Sequence, residues 1–180
     1  MHAAKIAVIT GSTGGIGSAI ADQLAIAGWH LVLVNRNEEK ARAQKATLQT
    51  AHPAAQVDLV QADLMDIAQI KAAAQTIMDL HPQIDALYNN SGVLTSERVL
   101  SAQGHESNYA VNTLAAYVMM QGLRPALRRD DPAEKTMIIN TTSSAHNAAK
   151  SLDTETLSDP KVIGGLTGAY ATTKLALTTL

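Results

Sequence analysis

The sequence predicts an α/β fold built on a doubly wound parallel sheet. Short apolar runs with β-branched residues alternate with segments of helical period, and the runs end in small or polar residues. A glycine-rich turn joins the first run to the first helical segment. Such alternation favours parallel strands with right-handed crossover connections. The chain has 180 residues, of which 46% are hydrophobic, so we expect a single domain over residues 1–180 with one sizeable core.

The apolar runs predict five strands, and the periodic segments predict five helices. The strands are expected at residues 5–9, 31–34, 57–60, 84–88 and 137–140. Four helices are expected at 18–27, 38–50, 66–80 and 106–128, and a last helix opens at Tyr170 and continues towards Leu180. The first run is typical of a strand that is buried on both faces.

The composition excludes several classes of partner. The formal net charge is -2 and the basic residues are scattered, which predicts no nucleic-acid partner and no membrane partner. No apolar run approaches the roughly 18 residues that span a bilayer, so we expect a soluble, cytoplasmic protein. Cysteine is absent, which excludes disulfides and thiolate chemistry. A small-molecule ligand is therefore favoured.

Metal binding would depend on histidines and carboxylates. The six histidines show no H-E-x-x-H or similar ligand spacing: His2, His30, His52, His81, His105 and His146. We therefore expect no metal site.

The glycine-rich turn at residues 11–17 is the first candidate binding element, because it lies between a strand and a helix. In that context, small residues let backbone amides approach a pyrophosphate, and the helix N-terminus attracts its charge. The expected cofactor ligands are Gly11, Ser12, Thr13, Gly15, Ile16 and Gly17. A plain tight turn is the alternative. A Walker A loop is disfavoured, because Ser18 occupies the position where that loop has lysine.

The end of the second strand predicts which cofactor is bound. NAD sites of this kind place Asp or Glu there to bind the ribose 2′-hydroxyl, but this chain has Asn35 followed by Arg36. The guanidinium of Arg36 suits a 2′-phosphate, so NADP is favoured over NAD. In the alternative, Arg36 pairs with Glu38 or Glu39 at the surface. Asp63, after the third strand, is placed either to hydrogen-bond the adenine or to cap the next helix.

Tyr170 and Lys174 are the candidate catalytic pair. Residues four apart lie on one helical face, so the ammonium of Lys174 can approach the phenol of Tyr170. At roughly 6 Å and an effective dielectric constant of ~20, the attraction between a lysine ammonium and a tyrosinate is about 2.8 kcal/mol. Such a tyrosine can donate or accept a proton near neutral pH. An ordinary surface pair is the alternative.

Several motifs occur together in one order along the chain. After the glycine turn come Asp63-Leu64, Asn89-Asn90-Ser91-Gly92, a helical Asn112, a strand followed by Ser143-Ser144, and Tyr170-x-x-x-Lys174. Over residues 5–180 this set resembles the short-chain dehydrogenase/reductase family, most closely its retinol-dehydrogenase-like branch. Ser91 departs from the family's usual alanine. The resemblance implies a Rossmann-like fold and further cofactor contacts from Leu64, Asn90, Ser91 and Gly92.

The resemblance also implies roles for the candidate catalytic residues. Tyr170 would be the acid/base of a hydride transfer between alcohol and carbonyl, while Lys174 favours the ionised phenol and, like Tyr170, contacts the cofactor. Ser143 would hydrogen-bond the substrate oxygen, because the family's pattern Asn-x-Ser-Ser, counted from Asn140, places its second serine at 143; Ser144 is the alternative. Asn112 would bind a water on a proton path, or it would simply face solvent.

The family sets expectations for the whole protein as well. Its chains continue past the Tyr–Lys helix into further strands, so with Leu180 as the last residue we expect a C-terminally incomplete sheet, whether as a fragment, a processed chain or a reduced member. A homo-oligomer is expected, because these helices commonly form the family's subunit interface. The main hypothesis is an NADP-dependent oxidoreductase that acts on a small alcohol or carbonyl. The rival is a catalytically silent NADP-binding regulatory or structural module.

Overall fold

The computed structural model describes residues 4–127, 134–153, 157–159 and 168–180, and all five predicted strands form in it. They are β1 Ile6–Thr10, β2 His30–Asn35, β3 Val57–Gln61, β4 Ala86–Asn89 and β5 Met137–Asn140. All pairs are parallel, in the order β3-β2-β1-β4-β5, and no strand follows β5 in the described part of the chain. The predicted start of the fourth strand at residue 84 is wrong, because the amide of Ile84 donates to the carbonyl of Ala126 in a helix.

Helices connect the strands and cover the sheet. They are α1 Gly15–Ile26, α2 Glu38–Ala51, α3 Ile67–Leu80, α4 Ser107–Tyr109, α5 Ala115–Leu127 and α6 Ala169–Thr178. A π-helical turn, Ala110–Leu114, joins α4 to α5, so residues 107–127 form one long helix. The predicted start of the first helix at residue 18 is wrong, because the glycines themselves form its first turn. Among the described residues, the helices are all too short or too polar to cross a membrane.

Two apolar layers cover the two faces of the sheet. Side chains alternate along each strand, so Val8 and Val32 face one layer while Ile9 and Leu33 face the other. The first layer is completed from α3 and the long helix by Ile70, Ile77, Met119 and Leu123. The second is completed from α1 and α2 by Ala21, Ala25 and Leu48. Both faces of the central strands are therefore buried, which confirms the doubly wound prediction, whereas Met137 and Ile138 of the edge strand β5 are exposed.

The strand order determines where a ligand can bind. Because β1 lies between β2 and β4, the chain leaves β1 towards one side of the sheet and later enters β4 on the other side. The helices that follow β1 and β4 therefore lie on opposite faces of the sheet, and a crevice forms between their connections at the carboxyl edge, where ligands bind in open α/β sheets. Thr10 joins the two loops, since its hydroxyl oxygen accepts hydrogen bonds from the amides of Asn90 and Ser91, both at 3.1 Å.

Gly122 marks the closest approach between α3 and the long helix. A Cβ atom at this position would lie 2.7 Å from the Cβ of Ala74. In an open helix interior, replacing glycine with alanine stabilises by about 1 kcal/mol. Here we expect Gly122→Ala to lower the free energy of unfolding by about 1–3 kcal/mol, because the added methyl overpacks the contact. Urea unfolding measures the change.

The matched control for this prediction is the double variant Ala74→Gly/Gly122→Ala, which removes the methyl group that is overlapped. A cycle with both single variants should show that the two changes are not additive, with the double variant more stable than Gly122→Ala. A Gly122→Ala protein as stable as the wild type would contradict the packing described here.

Candidate active site

A cleft of about 980 Å³ lies at the carboxyl edge of the sheet. Most of the residues expected to bind cofactor or substrate line it: Gly11, Thr13, Gly15, Ile16, Asn35, Arg36, Asp63, Leu64, Asn90, Ser91, Gly92, Ser143, Tyr170 and Lys174. Three expected residues, Ser12, Gly17 and Asn112, lie behind this wall. The fold therefore brings the glycine turn and the Tyr–Lys helix to one cavity, although they are about 160 positions apart in the chain.

The glycines allow the turn after β1 to pack against the loop after β4. Gly11 has a φ of 65°, and a Cβ there would lie 2.5 Å from the Oγ of Ser91. A Cβ at Gly17 would collide with the carbonyl oxygen of Gly11. The side chain of Asn90 completes the contact, because its Nδ2 donates to the carbonyls of Thr10 and Gly11 at 3.2 and 3.1 Å. Asn90 thus braces the turn that a cofactor would contact.

The N-terminus of α1 is open towards the cleft. Cβ atoms built at Gly14 and Gly15 would meet no heavy atom of the described residues within 4 Å, and no side chain among these residues caps the helix. By contrast, Asn37 and Asp66 cap α2 and α3. Uncapped amides and the positive end of the helix dipole suit an anionic group. The turn therefore fits a pyrophosphate.

Ser12 and Asn35 form a buried polar cluster beneath the turn. The Oγ of Ser12 donates to the Oε1 of Gln44 at 2.7 Å and accepts from the Nδ2 of Asn35 at 2.8 Å. Gln44 also donates to the carbonyl of Ser12. Ser12 as a whole is buried, so its hydroxyl and carbonyl are used in contacts inside the protein. The Oδ1 of Asn35 is buried with no hydrogen-bond partner among the described residues, although the residue itself borders the cleft.

Two cations line the cleft after β2. Arg36 is exposed there, and its guanidinium forms no ion pair within the described part of the chain. Glu38, one of its expected alternative partners, instead accepts from the Nη2 of Arg42 at 2.5 Å. Lys40 in the first turn of α2 lines the same cleft, and our sequence analysis missed it. A lysine in the first turn of the helix that follows the strand was the available signal.

Asp63 lines the cleft but does not cap the following helix. Its Oδ1 accepts from the amide of Met65 at 2.9 Å, whereas Asp66 accepts from the amide of Ala68 at 2.9 Å at the start of α3. The capping alternative for Asp63 is therefore wrong.

Asn112 lies in the π turn and is buried, so the expectation that it might simply face solvent is wrong. Its Oδ1 accepts from the amide of Val93 at 2.7 Å, and its Nδ2 donates to the carbonyl of Val93 at 2.9 Å and to the Oγ1 of Thr173 at 3.2 Å. Both amide hydrogens are thus in use. Asn112 connects the loop after β4 to α6, and only the second lone pair of its oxygen is left for a water.

Tyr170 and Lys174 lie in α6, as the sequence predicts. Lys174 is almost fully buried, its Nζ donates to the carbonyl of Thr141 at 2.9 Å, and this nitrogen lies 5.8 Å from the ring centroid of Tyr170. Burial lowers the pKa of Lys174 below its usual value. Gly92 makes room for the ammonium, since a Cβ there would lie 3.2 Å from Nζ. The ammonium therefore approaches the phenol from inside the protein.

Ser143 lines the cleft, whereas Ser144 begins a 3₁₀ turn, Ser144–Ala148, and does not. The Oγ of Ser143 accepts from the amide of Ala145 at 3.2 Å, which caps this turn and fixes the side chain. The cleft wall also includes three apolar residues that our sequence analysis missed: Val93, Leu94 and Val99. They follow β4 in a loop without periodic pattern, so nothing local indicated that they face a cavity.

The burial of Lys174 predicts how stability depends on pH. The pKa of this ammonium is lower in the folded than in the unfolded chain, so the unfolded chain binds more protons between the folded value and about 10.5, the unfolded value. The free energy of unfolding contributed by Lys174 therefore rises as pH increases through this window. The free energy of unfolding of Lys174→Met minus that of wild type should be largest near pH 7. This difference should fall as the pH rises towards 10.5.

Urea unfolding of both proteins across this pH range measures the difference. Lys71→Met is the matched control, because Lys71 is exposed on α3 and its replacement should give a difference that hardly changes with pH. A Lys174→Met difference that stays constant from pH 7 to pH 10.5 would contradict the buried, charged lysine.

Comparison with known proteins identifies the family of this chain. The family model described as short chain dehydrogenase matches residues 5–152. Short-chain dehydrogenase/reductase drtF from Aspergillus calidoustus is 31% identical over 152 residues, which are 82% of this chain and 48% of that protein. The chain spans about half the length of the curated relatives it matches.

Solved structures share the fold. The Pseudomonas aeruginosa RhlG/NADP active-site complex aligns with a TM-score of 0.77 and 28% identity, over 99% of this chain and 67% of that one. A short chain dehydrogenase/reductase from Burkholderia phymatum in complex with NAD aligns with a TM-score of 0.73 and 27% identity, over 98% and 57%. Because the family match runs from β1 past β5 and the same sheet recurs in these structures, the chain belongs to the short-chain dehydrogenase family.

Proposed function

We propose that this chain is an NADP-dependent oxidoreductase that interconverts an alcohol and a carbonyl, with Tyr170 as the acid/base. The observation that carries the proposal is that a single cleft contains the open glycine turn, Arg36, and the Tyr170–Lys174 pair. A general oxidoreductase role follows from the family. The cofactor preference and the proton donor are inferred from this chain's own residues.

The preference for NADP rests on charge at the end of β2. Neutral Asn35 stands where an acidic residue would repel a phosphate, and Arg36 and Lys40 supply two positive charges on the same wall. Relatives include complexes with NADP and with NAD, so the family alone does not select between the two. The uncapped N-terminus of α1 would hold the pyrophosphate that both cofactors share.

The proposed chemistry divides between cofactor and protein. When bound, the nicotinamide supplies the hydride for reduction or accepts it in oxidation. Tyr170 donates a proton to the carbonyl oxygen in reduction and takes it back in the reverse direction. The Lys174 ammonium stabilises the phenolate that remains, and the Ser143 hydroxyl hydrogen-bonds the substrate oxygen. Asn112 positions the Tyr–Lys helix through Thr173.

Three further expectations accompany this proposal. Self-association through the long helix and α6, a cytoplasmic location, and membership of the retinol-dehydrogenase-like branch stay predictions. The apolar wall of Val93, Leu94 and Val99 favours an apolar substrate body, so we select apolar aldehydes and ketones as probes.

Replacing Tyr170 with phenylalanine tests the acid/base. We expect Tyr170→Phe to lower kcat/KM for NADPH-dependent reduction of these carbonyls by about 100-fold or more, because the proton donor is lost. The dissociation constant for NADPH, measured by its fluorescence, should change little. Tyr117→Phe is the control, since Tyr117 is an exposed tyrosine on the long helix and should retain full activity.

The same assay distinguishes the proposed enzyme from the rival, a catalytically silent NADP-binding module. Equal rates for Tyr170→Phe and wild type would exclude the assigned acid/base. A wild-type chain that binds NADPH without turning over any carbonyl would support the catalytically silent module, and a chain that binds no NADPH would contradict both functions.

Replacing Arg36 with alanine tests the phosphate assignment. A charged hydrogen bond contributes about 1.5–3 kcal/mol, so Arg36→Ala should reduce the preference for NADPH over NADH by about 10- to 150-fold. Paired NADPH and NADH titrations measure this ratio. Arg42→Ala is the control, because Arg42 is paired with Glu38 and does not line the cleft. An Arg36→Ala protein with an unchanged ratio would remove the basis for NADP selection.

A further inference from the structure

We propose that His30, Asp58 and His81 form a binding site for a divalent transition-metal ion, with zinc as the best-fitting ion. The site lies at the amino end of the sheet, away from the cleft. Between His30 and the carboxyl end of β2 there are five residue steps, or about 17 Å at about 3.3 Å per residue. Metal binding here is therefore separate from the proposed oxidoreductase chemistry.

The three side chains converge on one point. The Nε2 of His30 lies 2.7 Å from the Oδ2 of Asp58, and the Nε2 of His81 lies 2.9 Å from the same oxygen. All three donor atoms lie within 4.8 Å of one another. Two imidazole nitrogens and one carboxylate oxygen are a ligand set that zinc accepts, with water at the fourth position.

The size of the cluster suits such an ion after a small movement. Zinc holds these ligands at about 2.0–2.2 Å in tetrahedral geometry, which places neighbouring ligand atoms about 3.4 Å apart. The oxygen of Asp58 would therefore withdraw from the two nitrogens by about 0.5–0.7 Å, and the two nitrogens, which lie within 4.8 Å of each other, would settle about 3.4 Å apart. Asp58 has the most exposed side chain of the three, at 37% against 19% for His30 and 11% for His81, so it can move and solvent can reach the ion.

The backbone holds the three ligands in place. Asp58 is paired with Val32 in the register between β2 and β3, two positions from His30. The amide of His30 donates to the carbonyl of Lys5 at 2.8 Å, and that of His81 donates to the carbonyl of Ile77 at 2.8 Å, at the end of α3. Three separate elements thus supply one ligand each, and little further ordering is needed when an ion binds.

Two imidazoles share a single carboxylate oxygen in this cluster, since the Nε2 atoms of His30 and His81 both contact the Oδ2 of Asp58. An ordinary histidine–aspartate pair needs only one imidazole, as at His52 and Asp22, which lie 2.8 Å apart. The second imidazole on the same oxygen distinguishes the cluster from such a pair.

Titration of zinc chloride into the chelator-treated full chain tests the proposal. Calorimetry should show one ion bound per chain. His30→Gln, Asp58→Asn and His81→Gln should each weaken binding by at least about tenfold, because each removes one of three ligands. The matched control is His52→Gln, which removes an imidazole of similar exposure from a two-residue pair and should leave the affinity unchanged.

Cobalt(II) provides a second measurement on the wild-type chain, which does not depend on how the variants fold. Bound cobalt should show the intense visible absorption of a four-coordinate ion, and zinc should abolish this absorption by displacement. Tyr170→Phe should give the same spectrum, so failure of the proposed oxidoreductase function would not affect this result. Absence of stoichiometric binding, or equal weakening by His52→Gln, would overturn the site.

Discussion

The whole carboxyl edge of the sheet depends on the close approach of the turn after β1 to the loop after β4. Gly17 lies against the carbonyl of Gly11, and the amide of Asn90 fills the remaining space with two hydrogen bonds. Any side chain at Gly17 would push these segments apart. The Thr10 hydroxyl and the Asn90 side chain each bind backbone groups of the facing segment, so the protein itself holds the floor of the crevice in place.

The wall that carries Tyr170 is held by buried polar groups rather than by apolar packing alone. Asn112 bonds the backbone of Val93, Thr113 donates to the carbonyl of Thr173 at 2.8 Å, and Lys174 donates to Thr141. Buried polar groups cost free energy when they lose their partners. Each of these bonds therefore restricts how the wall can move, so the side chains of Tyr170 and Lys174 stay positioned at some cost in desolvation.

The sequence predicted the sheet well because its strands are short apolar runs, most of them with β-branched residues, that end in small or polar residues. It also predicted that distant motifs meet, since carboxyl ends of parallel strands share one edge. It failed where the outcome depended on long-range packing. The fully buried side chain of Ser12 points inwards to Gln44, and the loop after β4 encloses Asn112. Asp58 contacts His30, which is 28 positions away in the chain, and His81, which is 23 positions away. No local sequence pattern indicates any of these contacts.

The π turn at Ala110–Leu114 has a consequence for how such a wall can arise. One extra residue in a helical turn rotates the segment before it by about 100° relative to the segment after it. The Met119 and Leu123 side can therefore keep its fit to α3 while Asn112 is rotated towards the loop after β4. Insertion of a single codon into an ordinary α-helix could redirect a polar side chain in this way while the core packing stays unchanged. Deletion of that codon would turn the polar side chain away from the loop again.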